Sequence, residues 1–181
     1  MAYTVKKTIA LVGMMGAGKT AVGQALARAL GVPFLDSDQE IRRAANMEIA
    51  EVFERDGEAF FRDREAEVIA RLLRTERCVL STGGGAFLAA RNRDQIRRAG
   101  VSVWLNAPLD LLWERVRHKD TRPLLRTPDP RATLAEIYAR RVPVYALADL
   151  EVKARAEYSV ARMAEEVLAA LKTRPDVVEE R

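Results

Sequence analysis

Five short apolar runs punctuate the chain, and each hands over to a stretch with helical periodicity. Thr8-Ile9-Ala10-Leu11-Val12 shows no polar alternation, so a strand there would be buried on both faces, as in a parallel sheet. An Ala-rich helical stretch follows from Lys19 to Leu30, closed by Gly31. Phe34-Leu35 reads as a short second strand. Residues 38–47 and Ile49 to Phe53 read as two short helices. Asp56-Gly57 breaks the pattern, and a longer helix runs from about Glu58 to Leu73, with Phe61, Val68, Ile69, Leu72 and Leu73 at helical spacing. Cys78-Val79-Leu80-Ser81 is the third strand. A charged helix covers residues 89–99 with Gly100 as its stop, and Val101 to Leu105 is the fourth strand. Pro108 suits the first turn of a helix from Leu109 to about Val116. Pro123, Pro128 and Pro130 exclude a continuous helix through 123–130. A helix from about Thr133 to Arg141 is expected to kink or restart at Val142-Pro143. Leu150 to Lys153 gives a fifth strand. Ser159 caps a last helix, Val160 to Leu171, and residues 173–181, with Pro175 and a charged end, read as a frayed tail.

Strands alternating with helices predict an α/β fold: a five-stranded parallel sheet flanked by helices on both faces. With 181 residues, 49% of them hydrophobic, no repeats and no linker, the chain is expected to form a single domain, 1–181. The charge of +4 and the pI near 9.4 suit anionic partners. No basic-aromatic interleaving or nucleic-acid motif accompanies that charge, and aromatics are only 6%. Nucleic acid is therefore not an expected partner. A single cysteine, Cys78, excludes an internal disulfide and reads as a small buried hydrophobe; a single histidine, His118, excludes a Cys/His metal cluster. No signal-peptide pattern or long apolar span is present, so no membrane partner and a cytoplasmic location are expected.

Between the first strand and the first helix, Gly13 to Thr20 reads G-M-M-G-A-G-K-T, matching G-x-x-x-x-G-K-[ST] in the strand-loop-helix setting that a phosphate-binding loop requires. Backbone N–H groups around Gly16, Ala17, Gly18 and Ala21 would cradle phosphates at a helix N-terminus. Lys19 would reach the β- and γ-phosphates, and the Thr20 hydroxyl would hold Mg2+. Asp36 and Asp38 leave the second strand at the sheet edge where ligands collect. One could serve the metal and one an acceptor hydroxyl; alternatively, Asp38 or Ser37 only caps the next helix. Arg62 and Glu65 share a helical face, either as part of a site or as a solvated ion pair. Gly83-Gly84-Gly85 needs bare backbone for a tight turn or, as the favoured reading, for a closely approaching ligand. The basic, Pro-broken segment around 117–131 suggests a lid over phosphates, with a solvated surface loop as the alternative and His118 incidental.

Taken together, these motifs resemble shikimate kinase along nearly the whole chain. The pieces are G-M-M-G-A-G-K-T at 13–20, F-L-D-S-D at 34–38, F-F-R-D-R-E at 60–65, S-T-G-G-G-A at 81–86, R-P-L-L at 122–125 and R-R-V-P-V-Y at 140–145. The resemblance implies a P-loop, nucleoside-monophosphate-kinase-like three-layer sandwich with a substrate-binding segment at about 37–66 and a lid at about 117–131. It implies transfer of the ATP γ-phosphoryl to the 3-hydroxyl of shikimate, with Mg2+ as cofactor, by a monomer. Carried over residue by residue, Asp38 would bind the acceptor hydroxyl as a proposed general base. Asp36 would lie near Mg2+, and Arg62 and Arg141 would clamp the shikimate carboxylate. Gly83, Gly84 and Gly85 would offer N–H groups to the substrate. Arg115 would pack on adenine, and Arg122 would reach the ATP phosphates from the lid. Ser81 departs from the Asp that many P-loop proteins carry at the end of this strand, and the chain beyond Val152 matches the family poorly. A gluconate kinase-like enzyme and a catalytically silent nucleotide-binding protein are the competing readings.

Overall fold

The computed structural model describes residues 2–119 and 123–181. Its centre is a five-stranded sheet. In chain order the elements are β1 (Tyr3–Val5), β2 (Thr8–Val12), α1 (Lys19–Leu30), β3 (Phe34–Asp36), α2 (Ser37–Ala45) and α3 (Ile49–Thr75). They continue with β4 (Val79–Ser81), α4 (Ala90–Ala99), β5 (Gly100–Asn106), α5 (Leu109–Val116), α6 (Pro130–Tyr145), β6 (Leu150–Lys153), α7 (Val160–Leu171) and β7 (Val178–Glu180). Strand order in the main sheet is β3-β4-β2-β5-β6, and every pairing is parallel. The predicted fold class is therefore the observed one. Each residue of β2 is buried, which is why that run carries no polar alternation.

Ile9, Leu11, Val101 and Val103 join Leu26 of α1 and Val167 and Leu171 of α7 in one core; a second cluster holds Ile41, Val52, Phe61, Val68, Leu72 and Leu80 beneath α2 and α3. Cys78 belongs to that second cluster, and burial pushes its thiol up to about 11, so it is a packing residue. The break expected at Asp56-Gly57 is present inside α3: Gly57 has φ 86° and ψ 170°, a backbone region almost exclusive to glycine.

Two expectations fail. The segment 173–181 is not a frayed tail. β7 pairs antiparallel with β1, which the sequence pattern had not shown, and Val177 and Val178 are buried. Three residues per strand are too few for a periodic signal, and the partners lie at opposite ends of the chain. Nor does the chain restart at Pro143; α6 runs without interruption from Pro130 to Tyr145. Proline removes one N–H, and the helix bond lost would have gone to Ala139 O. Both residues are exposed, so that carbonyl is open to solvent, while the Tyr145 hydroxyl fastens the helix end to Gly84 O at 2.7 Å. Among the described residues, no helix is long and apolar enough to cross a membrane.

Candidate active site

In this topology β2 sits at the sheet centre, the chain turns to opposite sides after it, and the crevice lies beyond the strand C-termini. The loop from Gly13 to Thr20 crosses that crevice. Gly16 and Gly18 take φ 82° and 95°, values that fold the loop back so that α1 starts at Lys19 with its N-terminus facing the hollow. Lys19 Nζ lies across the loop, donating to Gly13 O at 2.5 Å. Arg115 Nη1 donates to Gly16 O at 3.0 Å and ties α5 to the loop. The cleft, about 590 Å³, is lined by residues of the loop, by Ala21 and Val22, by Asp36 and Asp38, by Ser81 to Gly84 and by Arg115.

Asp36 is the N-cap of α2: its Oδ1 accepts from the N–H of Asp38 at 2.9 Å and of Gln39 at 3.1 Å. The capping role thus falls to Asp36 and not to Asp38 or Ser37. With Asp36 as the cap, Asp38 is the second residue of α2, its side chain against Gly83. Burial raises the Asp38 carboxyl above its usual range, Asp36 adds to the rise, and Lys19, Arg42 and Arg62 oppose it.

Each glycine of the 83–85 run abuts one charged side chain. A Cβ at Gly83 would stand 2.5 Å from Asp38 Oδ1, one at Gly84 would stand 3.1 Å from Arg141 Nη1, and one at Gly85 would stand 2.6 Å from Arg62 Nη2. None of the three has a positive φ. Neither a strained turn nor an approaching ligand is needed to explain the bare backbone; these three side chains occupy the space. The Gly83 N–H is already taken by Ser37 Oγ at 3.0 Å, so it is not on offer to a substrate as expected.

Arg62 Nη1 meets Glu65 Oε1 at 2.8 Å, and Glu65 is 1% exposed, so a buried carboxylate anchors a half-buried guanidinium. Desolvation raises the Glu65 carboxyl while the Arg62 hydrogen bond lowers it. Arg141 has no carboxylate within ion-pair distance among the described residues; its Nη1 donates to Gly84 O at 3.3 Å.

The sequence of residues 15–172 matches the family model described as shikimate kinase. The chain belongs to the shikimate kinase family. A shikimate kinase from Ruegeria pomeroyi is 67% identical over 178 residues, covering 98% of this chain and 91% of that protein. A solved shikimate kinase from Acinetobacter baumannii in complex with shikimate superposes with a TM-score of 0.83 at 38% identity, covering 92% of this chain and 93% of that one. A gluconokinase from Sinorhizobium meliloti shares the fold, with a TM-score of 0.63 at 20% identity, covering 93% of each chain.

Against this family background, the structure brings Lys19, Thr20, Asp36, Asp38, Gly83, Gly84 and Arg115 onto one cleft. Arg62 and Arg141 adjoin it through the glycines. Arg122 lies outside the described residues. The motif reading missed Tyr158, Ser159, Val160 and Met163, which line the cleft opposite the phosphate loop. The only sequence signal there was the Ser159 cap, whose Oγ accepts from Arg162 N at 3.0 Å. Tyr145 and Ser37, which fasten the glycine loop, were also missed.

Proposed function

We propose that the chain phosphorylates shikimate: an ATP-dependent shikimate kinase that yields shikimate 3-phosphate and ADP. The observation that carries the reading is the row of three glycines at the rim of a phosphate-loop cleft, with Asp38, Arg141 and Arg62 pressed against them in sequence. A phosphate cradle, a carboxylate and a pair of guanidiniums suit an acceptor bearing both a hydroxyl and a carboxylate.

On this reading Gly16, Ala17, Gly18, Lys19, Thr20 and Ala21 hold the ATP phosphates, and Arg115 lies beside the base. Arg62, held by Glu65, and Arg141 take the shikimate carboxylate. Gly84 and Gly85 form the wall behind the ring. Asp38 accepts the hydrogen bond of the 3-hydroxyl and orients its oxygen toward the γ-phosphorus. As the new O–P bond forms and the bond to the β–γ bridging oxygen breaks, the hydroxyl proton passes to Asp38 and ADP leaves. The transition state is loose, so positioning and charge neutralisation supply most of the rate. Lys19 faces the transferred phosphoryl, and Arg122 joins it from the segment 117–131, which acts as the lid while 37–66 carries the acceptor.

The donor set fits Mg2+. Mg2+ takes most of its ligands from phosphate and water, so it asks few oxygens of the protein. Thr20 and Asp36 are among the oxygen-bearing side chains that line the cleft and would hold the ion, and Asp36 is fixed by its two N–H bonds. When bound, Mg2+ would offset phosphate charge. We place the enzyme in the cytoplasm, in line with the lack of a signal-peptide pattern, and as a monomer, as the resemblance suggests. A substrate panel tests the acceptor: shikimate is expected to be phosphorylated at least a hundredfold faster than gluconate or a nucleoside monophosphate, a margin of about 3 kcal/mol. Faster turnover of gluconate would replace this reading with the gluconate kinase-like one. Shikimate binding without ADP formation would favour a silent nucleotide-binding protein.

A further inference from the structure

Tyr145 is 1% exposed and ends α6, one helical turn after Arg141. Both side chains point at the same atom. The Tyr145 hydroxyl donates to Gly84 O at 2.7 Å and is also in hydrogen-bond contact with the Arg141 guanidinium, whose Nη1 donates to Gly84 O at 3.3 Å. The shorter bond belongs to the neutral donor, and the longer to the charged group that has no carboxylate partner among the described residues. Around this carbonyl the loop is fastened on both sides. Ser37 Oγ accepts from Gly83 N at 3.0 Å, and the buried Asn92 Nδ2 donates to Ala86 O at 2.8 Å. Gly84 O therefore stays in place when Arg141 moves.

We propose that Tyr145 is a positioning residue that releases Arg141 for the substrate. A part-buried carbonyl left without a donor is costly. With Tyr145 permanently on Gly84 O, Arg141 can turn its guanidinium to an incoming carboxylate without stranding that oxygen. Without the hydroxyl, Gly84 O would depend on Arg141, and the carboxylate would compete with the loop for one guanidinium. The hydroxyl thus sets carboxylate affinity although it touches neither substrate nor nucleotide. The inference rests on the assignment of Arg141 to the acceptor carboxylate.

The test is Tyr145→Phe, which keeps the ring and removes only the oxygen. It is measured with shikimate and with its neutral methyl ester, in the parent and in an Arg141→Ala background. Tyr145→Phe is expected to raise the KM for shikimate roughly five- to tenfold, on the scale of one neutral hydrogen bond. The KM for ATP and the kcat should stay within about twofold, and the KM for the methyl ester should hardly change. In the Arg141→Ala background, Tyr145→Phe should add no further loss with shikimate. Equal losses for shikimate and its ester would overturn the inference and leave Tyr145 a structural residue, as would an unchanged KM for shikimate. If Arg141→Ala alone leaves the KM for shikimate unchanged, the underlying assignment fails, and the inference falls with it.

Discussion

Asp38 carries opposing influences. Burial and the neighbouring Asp36 favour its proton, while Lys19, Arg42 and Arg62 favour its charge, and the net effect is a carboxyl above its ordinary range. That makes it a better proton acceptor than a free aspartate, with three cations holding the rise in check. Two results are expected. The acidic limb of kcat/KM should lie above the usual carboxylate value, and Asp38→Asn should lose most turnover, at least a hundredfold, while still binding ATP. Full activity in that variant would remove Asp38 from the chemistry. Stability should move the other way. The folded chain holds the Asp38 proton more tightly than the unfolded chain does. That contribution to folding is complete below the unfolded value and is lost as pH rises through the folded one. Where it is ionised the buried side chain is therefore a cost, so Asp38→Asn should melt slightly above the parent at pH 7. The difference should vanish below about pH 4. Melting curves across that range check the sign, and an Asn variant less stable at pH 7 would contradict it.

The glycine loop between β4 and α4 acts as a unit. Its three residues form a wall against which α2, α3 and α6 each set one charged side chain, so an added methyl should displace a particular partner. Gly83→Ala should push Asp38 aside and lower kcat by tenfold or more, since a displacement of about 1 Å can cost a hundredfold. Gly85→Ala should act on Arg62 and appear mainly in the KM for shikimate. Steady-state kinetics with each substrate varied separates the two effects, and identical losses in both variants would argue against separate partners. Gly57 shows what backbone alone contributes. No atom lies within 4 Å of where its Cβ would be, so Gly57→Ala should cost about 1–3 kcal/mol in urea unfolding through its φ of 86° and nothing through packing. These positions also show what sequence can convey. The phosphate loop, Asp38, the Arg62–Glu65 spacing and the break at Gly57 were legible because each is local, with chemistry and spacing in one short stretch. That Glu65 is buried, that Tyr145 shares a carbonyl with Arg141, and that Ser37 takes the Gly83 N–H are contacts between distant elements. No local pattern carries them.

At the scale of the whole molecule, the two ends of the chain meet. β1 and β7 pair with Tyr3 opposite Glu180, Lys6 bridges to Glu179 at 2.8 Å, and Val177 and Val178 close the core at the N-terminal edge of the sheet. The ribbon escaped the sequence reading because its strands are three residues long and its C-terminal half looks polar except for two valines. It lies away from the strand C-termini that frame the cleft. Removing residues 177–181 should therefore cost about 3–6 kcal/mol from two buried valines, and lower the melting temperature by roughly 10 °C or more. The KM values measured well below that transition should remain unchanged. A truncated chain of parent stability would show that the ribbon is ornamental. The five-strand sheet, by contrast, was readable: the central strands β2, β4 and β5 are buried runs that declare themselves by their lack of alternation, and the half-buried edge strands β3 and β6 by their place between helices. Everything in this account converges on one cleft shared by a nucleotide and a carboxylate-bearing acceptor. The most direct measurement is ADP release by the purified chain with Mg-ATP, with and without shikimate. Strong stimulation by shikimate, accompanied by a phosphorylated product, is the result predicted. Slow release that shikimate does not change would contradict the account, leaving a nucleotide site whose acceptor is some other molecule.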